Sequence, residues 1–398
     1  MTYNKQPNIL RRKVLAIAGG AALIYPAMPK PAIASNNRVL NFVTPWPKSV
    51  KNGNSVSVRR IAENIDKITG GELRLKISWL GEMVKARQEF GAVSRGQADM
   101  YFAPEIYWDR ISPGYNFFGS MPFGMNAMET EAWLYEMGGQ QLWDNLSAHH
   151  NIKPFAAGNS GPQMAGWFKN EITSISSLSG LRIRMPGIAG KIYREMGAKP
   201  LFLPANKLVS GMRDNEVDAV EFVGPWPDMK LGLHKVANYY YWPGFQSPGA
   251  VVALGINLNV WNSLSKSHQE IIQNTCMSEY RQMLSSYAGN NGKAMSELRE
   301  KHKVSFRQLP NEVLNEFGAV SGDVVADTVR GDKQLTKIYN SYINSRIRLI
   351  HWAKYSDEAF LVSRRLPFPY SPKNLRTASP KILSVPTPKK PIATISRI

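Results

Sequence analysis

Gly180-Leu181-Arg182-Ile183-Arg184-Met185-Pro186-Gly187 is the stretch that decides the fold. Its apolar residues alternate with Arg182 and Arg184, which predicts a strand with one buried face, and Pro186-Gly187 ends that strand. A helix is predicted to follow over 189–196. Ligands of open α/β sheets bind at the carboxyl ends of the strands, and Arg184 is placed at that edge. Its planar guanidinium suits a carboxylate held by two parallel hydrogen bonds. The alternative is a solvated charge at a strand end.

A second short run places an acid among apolar and aromatic residues, just before a Gly-Pro turn. This run is Asp218-Ala219-Val220-Glu221-Phe222-Val223-Gly224-Pro225-Trp226. A carboxylate in such surroundings needs a cation, a metal ion or several hydrogen-bond donors. Glu221 is therefore a candidate binding residue. The alternative is an ordinary ion pair with a nearby arginine.

Outside these runs the pattern alternates between strand and helix. Three strands enclose two helices, over 39–43, 56–68, 73–77, 86–95 and 98–102. This order predicts a parallel sheet with helices on both faces. One helix over about 129–147 is expected next. A strand over 250–258 that reads as fully buried is expected to return to this first unit.

The fold class expected from this pattern is α/β, with two lobes. Lobe I takes residues 35–158 together with about 250–290, and lobe II takes 159–249. Helical spacing of apolar residues then predicts C-terminal helices over 290–363. Residues 364–398 contain seven prolines, eight Lys or Arg and no acid, a composition typical of a disordered basic tail.

The formal charge of +19 over 398 residues would ordinarily suggest nucleic acid or an anionic membrane as a partner. Five of these charges lie in residues 1–34 and eight in the tail, so that +6 remains on 35–363. No basic stripe interleaved with aromatic residues occurs in the sequence. Nucleic acid is therefore not expected as a partner.

The first 34 residues have the pattern of an export signal. Arg11-Arg12-Lys13 precedes a short apolar run, and Ala32-Ile33-Ala34 supplies a small-x-small cleavage pattern. Twin arginines in this position indicate the twin-arginine pathway. The apolar run is too short to span a bilayer, which needs ~20 residues. We expect cleavage after Ala34 and a periplasmic protein.

Motifs for catalysis are not found in the sequence. Gly158-Asn159-Ser160-Gly161 has its second glycine one residue too early for a nucleophile elbow. Gly187 to Ile192 lacks both the spacing and the Ser or Thr of a phosphate-binding loop. The six histidines and the single Cys276 offer no zinc-binding pattern. These features favour a binding protein over an enzyme.

Seven motifs carry a resemblance to a known family. They lie at 42–48 (Phe-Val-Thr-Pro-Trp-Pro-Lys), 96–100 (Gly-Gln-Ala-Asp-Met), 121–125 (Met-Pro-Phe-Gly-Met), 158–168, 180–187, 218–225 and 235–244. In this order they resemble the periplasmic solute-binding subunits of tripartite ATP-independent periplasmic (TRAP) transporters. The resemblance covers about residues 38–360 and is closest to the receptors for 2-oxo and 2-hydroxy monocarboxylates.

This resemblance implies a two-lobed clamshell, with the ligand between lobes that are crossed by long strands and a long helix. It assigns Arg184 to the substrate carboxylate. It assigns Gln163, Glu221 and the backbone carbonyl of Phe222 to a metal cation, and such an oxygen-only set suits sodium or calcium. Further candidates to wall the ligand are Trp46, Phe222, Trp226 and Phe245.

Two positions depart from the family pattern. Phe222 stands where a tryptophan is expected, which changes the shape of the pocket but leaves a carbonyl ligand in place. Phe245-Gln246-Ser247-Pro248 stands where a Trp-Trp-Glu run is expected. The second departure removes an acid, and so it bears on the charge balance around the metal and on the identity of the ligand.

The function implied by the resemblance is that of an extracytoplasmic TRAP receptor. It would capture a small 2-oxo or 2-hydroxy monocarboxylate with a metal cation and deliver it to the membrane permease subunits. The alternatives are a receptor of the same fold for another organic anion without a metal, and an envelope protein that binds lipid or polymer. A periplasmic hydrolase would need a nucleophile–base pair, which the sequence does not offer.

A homodimer is also expected. Receptors of this type include dimers built by swapping C-terminal helices. Residues 310–360 carry apolar helix faces that would be exposed to solvent unless another part of the protein or a second subunit packs on them. Those faces comprise Leu314, Phe317, Val320, Val324, Val325, Ile338, Tyr342, Ile347 and Ile350. The alternative is that both helices pack on their own lobes.

Overall fold

The computed structural model describes residues 37–49 and 53–366, which form two β-sheets enclosed by helices. The strands are β1 (Arg38–Val43), β2 (Leu73–Ser78), β3 (Met100–Pro104), β4 (Ile152–Asn159), β5 (Gly166–Phe168), β6 (Arg182–Arg184), β7 (Lys199–Leu201), β8 (Ala219–Val220), β9 (Tyr239–Trp242), β10 (Val251–Asn257) and β11 (Ser305–Gln308).

The helices alternate with these strands in the first two thirds of the chain and dominate the last third. They are α1 (Asn54–Ile68), α2 (Glu89–Ser94), α3 (Tyr115–Gly119), α4 (Ala127–Glu136), α5 (Gly139–Ala148), α6 (Gly187–Glu195), α7 (Leu208–Arg213), α8 (Pro225–Leu231), α9 (Leu258–Ser263), α10 (Lys266–Glu300), α11 (Asn311–Val329), α12 (Lys333–Tyr355) and α13 (Asp357–Ser363).

Lobe I is built on a sheet with the strand order β2-β1-β3-β10-β4. Strands β1, β2 and β3 pair in parallel, as the βαβαβ pattern predicts. Strand β10 is antiparallel to both β3 and β4. The expectation that the apolar strand after residue 250 returns to the first unit is therefore confirmed.

Lobe II is built on a sheet with the strand order β11-β9-β5-β8-β6-β7. Strand β6 lies parallel to both β7 and β8, and Arg184 is paired with Val220. Strand β11 comes from a stretch for which only helices were predicted. It pairs in parallel with β9, and its Phe306 packs against the ring of Tyr240 at 5.6 Å.

The two lobes are joined by the segments 160–165 and 243–250 and by the helix α10. Helix α10 has 35 residues and is about 50 Å long at the usual rise of ~1.5 Å per residue. Ser265 caps its first turn by accepting a hydrogen bond from His268 N at 3.2 Å. The helix packs against β4 of lobe I and α8 of lobe II. This arrangement confirms the predicted two-lobed fold with a long connecting helix.

The predicted single helix over 129–147 is divided into α4 and α5. Asn126 and Glu129 form a capping box at the start of α4. The break falls at Gly138, whose φ of +83° lies in the left-handed region that favours glycine. Periodicity alone does not reveal such a break, because the apolar spacing continues across it.

The C-terminal helices pack mostly on their own chain. Phe317 of α11 lies 4.8 Å from the ring of Tyr193 in lobe II. Tyr342 of α12 accepts a hydrogen bond from Met125 N at 3.0 Å and contacts the ring of Trp133 in lobe I. Among the residues expected to need a partner, the buried ones are Phe317, Val325, Ile338 and Tyr342, and the exposed ones are Ile347 and Ile350.

In the two described ranges, no helix is both long and apolar enough to cross a membrane. The predicted export signal lies outside the described residues. The predicted basic tail does so as well, apart from residues 364–366.

Candidate functional site

Arg184 is the last residue of β6 and is only 2% exposed. Its Nη1 donates to the Glu221 carbonyl at 2.6 Å and to the Glu221 carboxylate at 3.2 Å, while its Nε donates to the Leu203 carbonyl at 3.3 Å. Glu221 comes directly after β8, the strand beside β6. Arg184 and Glu221 therefore meet because the carboxyl ends of neighbouring parallel strands lie at the same edge of the sheet, which is where ligands bind in open α/β sheets.

The carboxyl of Glu221 is buried with its charge only partly compensated. Burial raises its pKa to about 7, although the positive charge of Arg184 and contact with Gln246 lower it. Asp228 raises it further. A carboxyl with this pKa changes protonation near neutral pH, and a cation bound beside it would hold it ionised.

The loop that carries Glu221 and Phe222 is fixed by Asp228 of α8. The Asp228 carboxylate accepts hydrogen bonds from Val223 N at 3.2 Å and Gly224 N at 3.1 Å. It also accepts from Trp167 Nε1 at 2.9 Å and the Tyr240 hydroxyl at 2.8 Å. Trp167 and Tyr240 thus hold the Asp228 carboxylate in place, and Asp228 in turn orders the backbone next to the Phe222 carbonyl, a candidate metal ligand.

Both lobes contribute to a cavity of about 60 Å³ beside this pair. Five predicted site residues line it, namely Trp46, Gln163, Arg184, Glu221 and Phe222. The remaining walls include Tyr107 of lobe I, the start of α6 and the segment 246–250. The structure therefore brings the predicted carboxylate-binding and metal-binding residues together.

Two residues that were predicted to wall the ligand lie outside the cavity. Phe245 is buried in the connecting segment 243–250, where it stacks on Phe123 at 5.1 Å and on Phe317 at 4.3 Å. Trp226 lies in the first turn of α8 and packs edge-on against Tyr287 at 5.4 Å. Neither residue lines the cavity. Their aromatic character is explained by packing against neighbouring helices.

Tyr107 and Gln246 are among the lining residues that were not predicted from the sequence. Tyr107 follows the carboxyl end of β3, so the rule that located Arg184 could have located it. Burial raises the pKa of the Tyr107 hydroxyl, and the nearby positive charge of Arg184 opposes that shift. Gln246 was noted only as a departure from a pattern, yet the residue lines the cavity.

The side-chain amide of Gln246 makes a hydrogen bond through its nitrogen but not through its oxygen. Its Nε2 donates to the Met164 carbonyl at 2.8 Å, whereas its buried Oε1 has no hydrogen-bond partner, and the residue is only 4% exposed. A buried acceptor without a partner costs free energy unless a ligand supplies one. A bound cation or a ligand donor would satisfy this oxygen.

The oxygen atoms around the cavity suit a hard cation. The amide nitrogen of Gln163 donates to Ser160 Oγ at 2.8 Å, which leaves its oxygen as the coordinating end. With the Glu221 carboxylate, the Phe222 carbonyl and Gln246 Oε1, the set consists of oxygen atoms only, as sodium and calcium prefer. Among the described residues, no group of three or more His, Cys, Asp or Glu could hold a metal ion.

The lobes touch each other around the cavity. Asn116 of lobe I accepts a hydrogen bond from Ile188 N of α6 at 3.1 Å. The ring of Phe202 in lobe II lies 4.8 Å from the guanidinium of Arg87 and 5.6 Å from the ring of Tyr107, both in lobe I. The indole nitrogen of Trp46 is buried in the cavity wall without an acceptor. Cavities enclosed in this way suit small ligands.

Comparison with known proteins places this geometry in a family. Residues 46–332 match the model of the bacterial extracellular solute-binding proteins, family 7. A monocarboxylate 2-oxoacid-binding periplasmic protein of Nostoc sp. is 32% identical over 321 residues, which is 80% of this chain and 87% of that protein.

Two solved structures of TRAP periplasmic solute-binding proteins also superpose well. The protein of Pseudoalteromonas atlantica, with bound sodium and pyruvate, has a TM-score of 0.79 and 30% identity, covering 82% of this chain and 99% of that one. The protein of Bordetella bronchiseptica is a mixed-occupancy dimer with copurified calcium and picolinate; its TM-score is 0.80 at 26% identity, covering 82% of this chain and 96% of that one. The chain therefore belongs to family 7 of the bacterial extracellular solute-binding proteins, the solute receptors of TRAP transporters, which are not enzymes.

Proposed function

We propose that this receptor captures a small 2-oxo or 2-hydroxy monocarboxylate together with a sodium or calcium ion. The observation that carries the proposal is the buried pair of Arg184 and Glu221, which meets Gln163, Phe222 and Gln246 around one cavity between the lobes. Arg184 binds the ligand carboxylate through its guanidinium. Trp46 and Phe222 wall the remainder of the ligand.

The oxygen atoms of Gln163, Glu221, Phe222 and Gln246 are the proposed cation ligands. When bound, the cation supplies positive charge to the carboxylate and the 2-oxygen of the substrate. Related structures support this choice, since one contains sodium with pyruvate and another contains calcium with picolinate. The ionised form of Glu221 is the one that can coordinate.

The proposed setting is the periplasm. Residues 1–34 form a twin-arginine signal, lobe I takes 35–158 with about 250–290, and lobe II takes 159–249. The region 290–363, which is helical apart from β11, and the basic tail 364–398 follow, and the receptor passes its ligand to the TRAP permease subunits. A reporter fused to residues 1–40 tests the route: export is expected, and replacing Arg11 and Arg12 with lysine should stop it.

We also propose a homodimer, formed through the end of α12 and through α13. The apolar residues exposed there are Ile347, Ile350, Trp352, Tyr355, Phe360, Leu361 and Val362. An apolar patch of this extent is typical of an interface. The relative from Bordetella bronchiseptica is a dimer, which supports a dimeric assembly for this chain.

Native mass spectrometry followed by titration calorimetry tests the ligand proposal. The purified protein is expected to bind pyruvate or a close 2-oxo acid in sodium or calcium buffer, and to bind it weakly when both ions are replaced by choline and chelator. Equal affinity without either ion would remove the cation from the proposal. The absence of binding to every 2-oxo and 2-hydroxy acid would refute the ligand class.

A further inference from the structure

A second, smaller cavity of about 20 Å³ adjoins the ligand cavity. The two cavities share three lining residues, Trp46, Asn54 and Phe222. The ring centroid of Phe222 lies 5.9 Å from the guanidinium carbon of Arg184. The shared wall therefore begins beside the group that would hold the ligand carboxylate, and the second cavity, lying beyond that wall, is next to where a ligand side chain would start.

The walls of this second cavity are effectively apolar. Pro47, Ala205, Pro227, Leu231 and the Tyr287 side chain supply most of its surface beyond the shared wall. Two of its polar side chains bond to other protein atoms, whereas the indole nitrogen of Trp46, in the wall shared with the ligand cavity, has no acceptor. The Ser55 hydroxyl donates to the Pro47 carbonyl at 3.2 Å, and the Tyr287 hydroxyl donates to Asn54 Oδ1 at 3.3 Å. Among the described residues, no Asp, Glu, Lys, Arg or His lines it. Such a space favours hydrocarbon over a second charged group.

We propose that this second cavity, defined by Ala205, Pro227, Leu231 and Tyr287, receives the side chain of the ligand, so that the receptor prefers 2-oxo monocarboxylates whose alkyl side chain is longer than a methyl group. The inference rests on the proposed function, because it requires the carboxylate to lie on Arg184. Trp46, Asn54 and Phe222, which line both cavities, would then contact the ligand between its carboxylate end and its alkyl end.

The size of the cavity limits the length of that side chain. A space of about 20 Å³ accommodates one or two groups the size of a water molecule or a methylene. Burying one methylene tightens binding about fourfold. Affinity is therefore expected to rise from pyruvate to 2-oxobutyrate and again to 2-oxovalerate, and to rise no further for longer chains.

Ala205 offers a way to fill this cavity without touching the other one. It begins the short helical turn Ala205–Lys207 and lines the second cavity but not the first. Ala205→Leu should remove the gain from added methylenes and leave the affinity for pyruvate unchanged. Asn206→Leu is the matched control, because the exposed Asn206 lies on the same turn and lines neither cavity.

Titration calorimetry with pyruvate, 2-oxobutyrate and 2-oxovalerate in sodium buffer tests the inference, after circular dichroism has verified that each variant folds. If Ala205→Leu does not fold, Leu231→Phe narrows the same cavity from α8. The wild-type protein and Asn206→Leu are expected to bind each longer acid about fourfold more tightly, whereas the filled variant binds all three acids equally.

Two results would overturn the preference for longer side chains while leaving the receptor function standing. One is a wild-type protein that binds pyruvate as tightly as 2-oxovalerate, and the other is a filled variant that keeps the full gain. A wild-type protein that binds none of the three acids would overturn both the proposed function and this inference.

Discussion

The guanidinium of Arg184 bonds to two different atoms of Glu221, the backbone carbonyl at 2.6 Å and the carboxylate at 3.2 Å. The carbonyl bond anchors the arginine whatever the carboxylate does. In the proposed binding mode the Glu221 carboxylate coordinates the cation and Arg184 binds the incoming carboxylate. The site thus keeps its charges paired before binding, and removing either partner alone would leave a buried charge uncompensated.

Glu221→Gln should abolish the pH dependence of cation-assisted binding. Burial raises the pKa of Glu221 to about 7, so a proton competes with the cation below that pH. Wild-type affinity in sodium or calcium buffer is expected to be about tenfold lower at pH 6 than at pH 8. The variant should bind more weakly and almost equally at both values. Titration calorimetry of both proteins at pH 6 and pH 8 tests this prediction. Equal affinities of the wild-type protein at the two pH values would argue against coordination of the cation by Glu221.

Gln246→Glu should shift the preference of the site toward calcium. A second carboxylate raises the charge of the oxygen set, and calcium affinity increases with the number of charged ligands. We expect calcium-dependent binding to tighten by about tenfold relative to sodium-dependent binding. Gln246→Leu should weaken both by about tenfold to a hundredfold, since a bond to a charged group contributes ~1.5–3 kcal/mol.

The matched control for the charge at position 246 is Gln97→Glu, which makes the same change at an exposed residue away from the cavity. Its sodium and calcium affinities should equal those of the wild type. If Gln246→Glu also behaves as the wild type, Gln246 is not a cation ligand.

Glu105→Gln should flatten the pH dependence of stability. This carboxyl is fully buried in lobe I, where Oε1 accepts from the Tyr101 hydroxyl at 2.7 Å and Oε2 has no partner. Burial raises its pKa from 4.5 to about 8. Because the folded-state value lies above the unfolded one, its contribution to stability is complete below about pH 4.5 and is lost as pH rises through about 8.

Urea unfolding at pH 5 and pH 8 measures this effect. The free energy of unfolding of the wild type should fall by more than that of Glu105→Gln, with a difference on the order of a few kcal/mol. Glu89 and Glu221, whose pKa values burial raises to about 7, remain in both proteins and preserve part of the slope. Equal slopes for the two proteins would show that Glu105 does not titrate in this range.

Local periodicity was sufficient to predict most of the scaffold of this protein. The alternation of Arg182 and Arg184 with apolar residues located a strand whose last residue, Arg184, lines the cavity, and the same patterns placed most of the helices. The break at Gly138 was missed because it depends on one backbone angle. Strand β11 was missed because its pairing with β9 forms across more than sixty residues of chain.

The site was harder to predict than the scaffold, because side-chain direction depends on packing. Phe245 and Trp226 are aromatic residues close in sequence to cavity residues, yet they point at Phe317 and Tyr287. Gln246, the neighbour of Phe245, lines the cavity instead. Sequence proximity identified the segment, and only the tertiary structure identified the residue.

Trp352→Asp should convert a dimer into a monomer. Trp352 is 66% exposed on α12, and the nearby Tyr355 and Phe360 are 76% and 62% exposed. An aspartate in an apolar interface is left desolvated and unpaired, whereas the folded monomer loses little. Light scattering after size exclusion should give twice the chain mass for the wild type and the chain mass for the variant. A monomeric wild type at all concentrations would refute the dimer.

The affinity of Arg184→Ala for a 2-oxo acid tests the central claim most directly, with Arg182→Ala as its control. Arg182 lies on the same strand but pairs with Asp218 and does not line the cavity. Removing one member of a buried charge pair costs ~2–5 kcal/mol, so Arg184→Ala should bind about 30-fold to a few thousandfold more weakly in calorimetry. Arg182→Ala should bind like the wild type. If Arg184→Ala binds its 2-oxo acid as tightly as the wild type does, Arg184 does not hold the carboxylate, and the proposed binding mode is wrong.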